Sequence, residues 1–187
     1  MRPFPIIFFF LFCFGNGIGQ DTSETITFLK QIRRDFCKGD SLFYTSSLDK
    51  FTVSEIRRHL SRDTIWIWSG SFSGKLQKDD SIILTSDEKS FITDQLKNPE
   101  GKLWNENLLE KSKLTELASH NFRDPVLPSE EKYIYSFSKP IFIRNNSLCF
   151  FYLHYSFTHY VGEGTLMLFK KVNRKWVYIQ WLFSTSR

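Results

Sequence analysis

The stretch that decides the fold is Leu148-Cys149-Phe150-Phe151-Tyr152-Leu153-His154-Tyr155, which is apolar or aromatic at nearly every position. In an extended strand, successive side chains point to opposite faces of the sheet. One face then carries Leu148, Phe150, Tyr152 and His154, and the other carries Cys149, Phe151, Leu153 and Tyr155. Because neither set is simply polar, we expect helices from the first half of the chain to cover one face. The second face is either covered as well or forms an aromatic-lined hollow.

Strand candidates around this stretch predict a C-terminal β-meander. They span residues 133–138, 141–144, 148–157, 165–172 and 175–183, and the turns between them include Asn145-Asn146 and Asn173-Arg174. Asn suits such turns because it tolerates a positive φ. Arg174 is a less usual turn residue, so a looser turn over 172–175 is an alternative that keeps the same pairing.

The last hairpin of the meander has a predicted register. Its turn pairs Lys170 with Val177, Leu168 with Ile179 and Leu166 with Trp181. Because directly opposite residues share a face, we expect one face to be core. That face consists of Leu166, Leu168, Val177, Ile179 and Trp181, whereas Met167, Phe169, Trp176, Tyr178 and Gln180 form an aromatic face with polar tips.

The first half of the chain predicts helices and two short strands. Apolar residues at helical spacing indicate a helix over 22–37, and capping boxes at 52–55 and 85–88 indicate two more. Residues 103–120 have a weak helical pattern, and 64–68 and 81–84 are strand candidates. We therefore predict an α+β fold over residues 20–187 as a single domain. Its N-terminal helices pack on a twisted antiparallel sheet that ends in the meander.

Residues 1–19 have the pattern of a secretory signal peptide. Arg2 precedes an apolar run over 6–14, and small residues alternate over 15–19. The run is about half of the roughly 20 residues that a membrane helix needs, so we expect no stable membrane span. A secreted or periplasmic location follows, with a mature chain that begins near Gln20. There, Cys37 and Cys149 form either one disulfide or two buried thiols.

Composition and motifs exclude several function classes. The formal net charge is +5, and the basic pairs at 33–34, 57–58 and 170–171 are scattered along the chain. Nucleic-acid binders concentrate such residues on one face, so we expect no nucleic-acid partner. The sequence has no Gly-x-Ser-x-Gly elbow, phosphate-binding glycine loop or dinucleotide motif. It therefore favours a protein without catalytic activity or cofactor.

The segment 154–164 is the best candidate for chemistry. His154, His159 and Glu163 can supply two imidazoles and a carboxylate to a zinc ion and leave its fourth position to water. A small metal-assisted hydrolase is therefore the alternative function. However, positions 154 and 159 differ by five, which places them on opposite faces of a continuous strand. Only a bend at 156–158 brings them together, and the simpler interpretation is a half-buried His154 with a solvent-facing His159.

Aromatic side chains give the leading hypothesis, which is an exported, non-catalytic binding or interaction module. Trp66 and Trp68 are two apart and share a strand face, where a tryptophan pair can bind sugar rings or a peptide. The candidate ligand-binding residues are Trp66, Trp68, Phe169, Trp176 and Tyr178. The partner would be a protein, a glycan or an apolar ligand. Core filling is the alternative use of the same rings.

Several segments resemble uncharacterised secreted bacterial proteins with a C-terminal β-meander. These segments are residues 83–88, 137–144, 162–164 and 168–171, together with Trp176, and the resemblance covers about half of the chain. It implies secretion and brings no known activity. Those proteins carry cysteines near the glycine-rich turn, where this chain has Ser156, Thr158 and Val161. The order of helices and strands is also similar to cone-shaped folds of the nuclear-transport-factor-2 type, as a fold analogy alone.

Overall fold

The computed structural model describes residues 22–46, 48, 50–60, 64–70, 76–96, 104, 108–115, 133–157 and 161–186. The predicted signal peptide lies outside the described residues. The helices are α1 (Thr22–Phe36), α2 (Lys50–Leu60) and α3 (Ser86–Leu96). The strands are β1 (Leu42–Tyr44), β2 (Thr64–Gly70), β3 (Leu76–Ile83), β4 (Ser112–Leu114), β5 (Ile134–Phe137), β6 (Ile141–Ile143), β7 (Leu148–Ser156), β8 (Gly162–Val172) and β9 (Lys175–Ser186).

The strands form one large sheet and one separate hairpin. The large sheet has the order β4-β1-β5-β7-β8-β9, with β6 also paired to β7, and β2 pairs with β3. Strands β5 to β9 are joined by antiparallel pairings, whereas β1 pairs in parallel with both β4 and β5. The α+β class and the C-terminal meander are confirmed, and the parallel pairs make the sheet mixed.

Both faces of the sheet are packed, which decides between the two alternatives left by the sequence. On the first face, called the α1 face, Phe28 of α1 contacts the rings of Phe151 and Phe169 at centroid distances of 5.2 and 5.1 Å. The opposite face packs against α2 and α3 through a second cluster that includes Ile56, Ile92 and Phe150. The alternation along β7 therefore separates two cores, as its sequence predicts.

The predicted register of the β8–β9 hairpin is correct only next to the turn. Lys170 pairs with Val177 as expected, but irregularities follow and Leu166 lies opposite Phe183. Each β-bulge inserts one extra residue into a strand and shifts all later pairs. Trp181 consequently pairs with Met167 on the α1 face and is 63% exposed.

The buried residues of the β8–β9 hairpin differ from the predicted core. Leu166 and Leu168 are buried as predicted, and Ile179 is half-buried. Val177, which is 43% exposed, and Trp181 are not core residues. The bulges move Trp181 from its predicted partner Leu166 to Met167. Val177 keeps its predicted partner Lys170, but this pair lies next to the turn, where both residues are exposed.

The helix predictions for the first half of the chain are confirmed only in part. The capping box at 85–88 is confirmed, since Glu88 N–H donates to Thr85 Oγ1 at 3.1 Å and Thr85 N–H donates to Glu88 Oε2 at 2.9 Å. The capping box at 52–55 does not start its helix, because α2 already begins at Lys50. The helical pattern predicted over 103–120 is wrong for residues 108–115, which form a turn and β4.

The turns of the meander use left-handed backbone. Asn173 and Arg174 have φ of 48° and 64°, which gives a two-residue turn rather than the looser alternative. Arg144, with φ of 52°, starts a run of three left-handed residues, a conformation that is unfavourable by roughly 1–2 kcal/mol per ordinary residue. The Arg144 side chain forms an ion pair with Glu88 at 2.7 Å and donates to Ile83 O, which ties this turn to the start of α3.

Candidate functional site

Aromatic rings cluster on the α1 face where β5 and β7 meet the loop after β7. We call Tyr133, Tyr155, Phe157 and Glu163 the aromatic corner. The centroid of Tyr133 lies 5.8 Å from that of Tyr155 and 6.3 Å from that of Phe157, and Tyr155 and Phe157 are 6.5 Å apart. Phe157 is 39% exposed, and the two tyrosines are half-buried. The corner therefore presents aromatic surface that the described parts of the chain leave partly open.

Glu163 supplies the negative charge of the aromatic corner. It lies directly opposite Tyr155 in the β7–β8 ladder, and Tyr155 Oη donates to Glu163 Oε2 at 2.8 Å. Ser184 of β9 donates to the other carboxylate oxygen at 3.2 Å. The hydrogen bond to Glu163, followed by burial, raises the pKa of Tyr155, because a phenolate would lose that bond and face a carboxylate. The two hydroxyl groups thus hold the carboxylate in place on the α1 face.

Lys38 brings an ammonium group to the same cluster. Its Nζ lies 4.9 Å from the ring centroid of Tyr133 and donates to Tyr133 Oη at 3.4 Å. Its backbone N–H donates to Tyr135 Oη at 2.8 Å, just beyond the end of α1, and burial raises the pKa of Tyr135 to about 12. The segment after α1 is therefore anchored to the sheet, and one ring of the aromatic corner already contacts a cation.

Gly162 and Gly164 make room on the opposite face of β8. A Cβ on Gly162 would lie 2.8 Å from His154 Nε2, and one on Gly164 would lie 1.9 Å from Tyr152 Oη. The rings of His154 and Tyr152 therefore pack over the two glycines. The Gly-Glu-Gly sequence thus presents its carboxylate on the α1 face and accommodates bulky rings on the other.

The predicted metal ligands are not brought together where the structure describes them. Glu163 bonds to Tyr155 on the α1 face, whereas His154 covers Gly162 on the opposite face. His159 lies outside the described residues, and no group of three metal-binding side chains occurs within the described parts of the chain. The metal site stays a prediction to which the described geometry lends no support.

The predicted ligand-binding aromatics have different environments. Phe169 and Trp176 are buried under α1, with centroids 5.1 and 5.7 Å from that of Phe28, and belong to the core. Tyr178 is 38% exposed and packs against Phe36 at 5.7 Å. Trp66 and Trp68 belong to β2, but their side chains lie outside the described part of the structure.

Sequence reasoning did not identify the exposed rings. Neither Trp181 nor the cluster of Tyr133, Tyr155 and Phe157 was predicted as a ligand surface. The aromatic density near the end of β7 was a usable signal for the cluster. Nothing in the local pattern marks Trp181, because its exposure depends on the bulges.

A small apolar cavity lies beneath the C-terminal part of α1. Its volume is about 10 Å³, and Leu29, Cys37 and Phe151 are among its lining residues. A space of that size holds at most one water molecule, so it is not a ligand pocket. Cys37 and Cys149 are both free thiols in the structure.

The chain matches no family model, no curated protein and no solved structure. None of the helices that the structure describes is long and apolar enough to cross a membrane.

Proposed function

We propose that the protein is an exported, non-catalytic binding module and that its ligand contacts the aromatic corner. The observation that carries this proposal is the exposure of Phe157 beside two half-buried tyrosines and an oriented carboxylate. Exposed apolar surface next to polar groups is typical of interaction sites. Aromatic rings are suited to such sites because they add large contact area with few rotatable bonds.

Preorganisation supports the same proposal. Glu163 is hydrogen-bonded to Tyr155 and Ser184, and Tyr155 is in contact with the rings of its neighbours. A ligand that docks there would order few side chains, and each ordered side chain would otherwise oppose binding by about 0.5–1.5 kcal/mol. Tyr178 and Trp181 are also exposed on the α1 face, at a separate position along β9. The ligand classes to screen are glycans, peptides and apolar small molecules.

A ligand screen with paired variants tests the site. The purified protein is screened by fluorescence and by two-dimensional NMR, and each hit is titrated against Phe157→Ala and against Ile83→Ala. Ile83 is a matched control because it is 64% exposed and lies on β3, outside the aromatic corner. We expect Phe157→Ala to weaken binding at least about tenfold, as for a central interface residue, and Ile83→Ala to leave it unchanged. Equal effects of the two substitutions, or no hit that shifts corner resonances, would contradict the proposal.

Export is proposed on the pattern of residues 1–19. Expression of the full chain in a secreting host, followed by N-terminal sequencing, provides the test. We expect protein outside the cytoplasm with a new N-terminus near Gln20. Protein retained in the cytoplasm with its leader uncleaved contradicts this part of the proposal and leaves the binding site unaffected.

A further inference from the structure

We infer that the aromatic corner selects a compact organic cation, of which a quaternary ammonium group is the simplest example. This inference rests on the proposed binding function and names its ligand class. The attraction arises because the face of an aromatic ring is electrostatically negative and stabilises a cation within about 6 Å of its centroid. Both the ring geometry and the Glu163 carboxylate of the corner support this ligand.

The three rings are close enough to act on one ion. Their centroids lie 5.8, 6.3 and 6.5 Å apart, so a cation seated over the cluster lies within reach of all three rings. The ring planes are tilted against one another by 67°, 58° and 31°. A flat, neutral ligand therefore cannot stack on all three rings at once, whereas contact with a roughly spherical ammonium group does not require parallel rings.

The carboxylate of the corner favours the same ligand. Glu163 is exposed, and its carboxylate is held beside Tyr155. It attracts a cation and repels a carboxylate or phosphate. Lys38 Nζ, 4.9 Å from the centroid of Tyr133, already places one positive charge against that ring and opposes a second. The attraction for a cationic ligand therefore comes from Glu163 and from the rings of Tyr155 and Phe157. The net charge of +5 opposes cations at long range, so we expect selection to arise from these local contacts.

The decisive experiment compares choline with its uncharged carbon isostere, 3,3-dimethylbutan-1-ol, at constant ionic strength. Both ligands are titrated into the purified protein, and aromatic ¹H–¹³C shifts of the corner residues are followed. The two molecules have the same shape, so a difference in affinity reports the charge. We expect choline to bind at least about tenfold more tightly than the isostere, a ratio that cation–π contacts with a few rings can supply.

Two variants localise the effect. Phe157→Leu keeps an exposed apolar side chain but removes a ring, so it should weaken choline binding severalfold and leave the isostere unchanged. Glu163→Gln should also weaken choline, whereas Glu110→Gln, an exposed glutamate beside β4, should not. Because Phe157 is exposed, its substitution keeps the test interpretable even if Glu163→Gln disturbs the β7–β8 ladder.

The outcomes distinguish the cation inference from the proposed binding function on which it rests. Equal affinity for choline and the isostere overturns the cation inference but leaves a binding site at the corner. Selective shifts with an oligosaccharide or a peptide, and none with choline, have the same meaning. If no ligand of any class shifts the corner resonances, both the inference and the proposed function are wrong.

Discussion

The substitution Gly164→Ala tests how tightly β7 and β8 pack on the face opposite the aromatic corner. Its Cβ would lie 1.9 Å from Tyr152 Oη and 2.8 Å from Tyr152 Cζ, and both distances are shorter than real Cβ contacts. Tyr152 is almost completely buried, so its ring has little space into which it can move. Overpacking of this kind destabilises by about 1–3 kcal/mol.

Gly164→Ala also has a smaller, stabilising effect. Replacing Gly with Ala restricts the unfolded chain and stabilises by about 0.4–1 kcal/mol where the backbone suits Ala. Gly164 does not have a left-handed φ, so this gain applies. The expected net loss in the free energy of unfolding is therefore about 1–2 kcal/mol. Urea unfolding followed by tryptophan fluorescence measures it.

A double-mutant cycle identifies the cause. Tyr152→Phe removes the oxygen that lies closest to the new methyl group, so Gly164→Ala should be less damaging in that background, with a coupling energy of about 1 kcal/mol. At Gly162 the closest atom is the Tyr155 carbonyl oxygen at 2.6 Å, which belongs to the backbone. The penalty of Gly162→Ala should therefore persist when His154 is replaced by Ala. The reasoning is refuted if Gly164→Ala is neutral or stabilising, or if its penalty is the same with and without the Tyr152→Phe substitution.

Three further predictions concern ion pairs and thiols. Hydrogen bonds from Arg144, and then from Thr85, lower the pKa of Glu88 from its usual 4.5. The ionised Glu88 carboxylate therefore stabilises the fold at pH values above 4.5, and this stabilisation is lost as the pH falls through the lower pKa of the folded state. Because the pair is partly exposed, Glu88→Gln should remove about 0.5–1 kcal/mol at pH 7 and much less at pH 2, as measured by urea unfolding at both values. Glu24 accepts hydrogen bonds from Lys171 Nζ at 2.8 Å and from Trp176 Nε1 at 2.7 Å. Glu24→Ala should therefore lower the free energy of unfolding by about 1.5–3 kcal/mol. Equal destabilisation by the surface control Glu110→Ala would contradict a stabilising role of these two hydrogen bonds. Burial raises the pKa of Cys37 to about 12 and that of Cys149 well above its usual range. Both thiols should therefore resist alkylation at pH 8 until urea is added. A protein mass lower by two hydrogen atoms would instead indicate a disulfide.

Much of the fold could be read from short-range patterns. The alternation along β7 predicts two buried faces because strand geometry alone sends neighbouring side chains to opposite sides. The capping box at Thr85 predicts the start of α3 because its hydrogen bonds join residues three apart. For the same reason, Asn173-Arg174 locates the last turn. The candidate site was predicted less well, since Phe169 and Trp176 are buried under α1 while Tyr133, Tyr155 and Phe157 form the partly exposed cluster.

Some features depend on contacts between residues that are distant in the chain. Phe183, rather than Trp181, is buried opposite Leu166, and its ring stacks on His59 of α2 at 4.5 Å. That contact joins residues more than a hundred positions apart, and no pattern within β9 encodes it. The bulges that bring Phe183 inward also leave Trp181 exposed. The amino-acid pattern alone therefore sets the helices, the meander and the alternation, because these follow from local geometry. Which rings are covered is determined only in the folded chain, because coverage depends on where α1 ends and how β9 is shifted against β8.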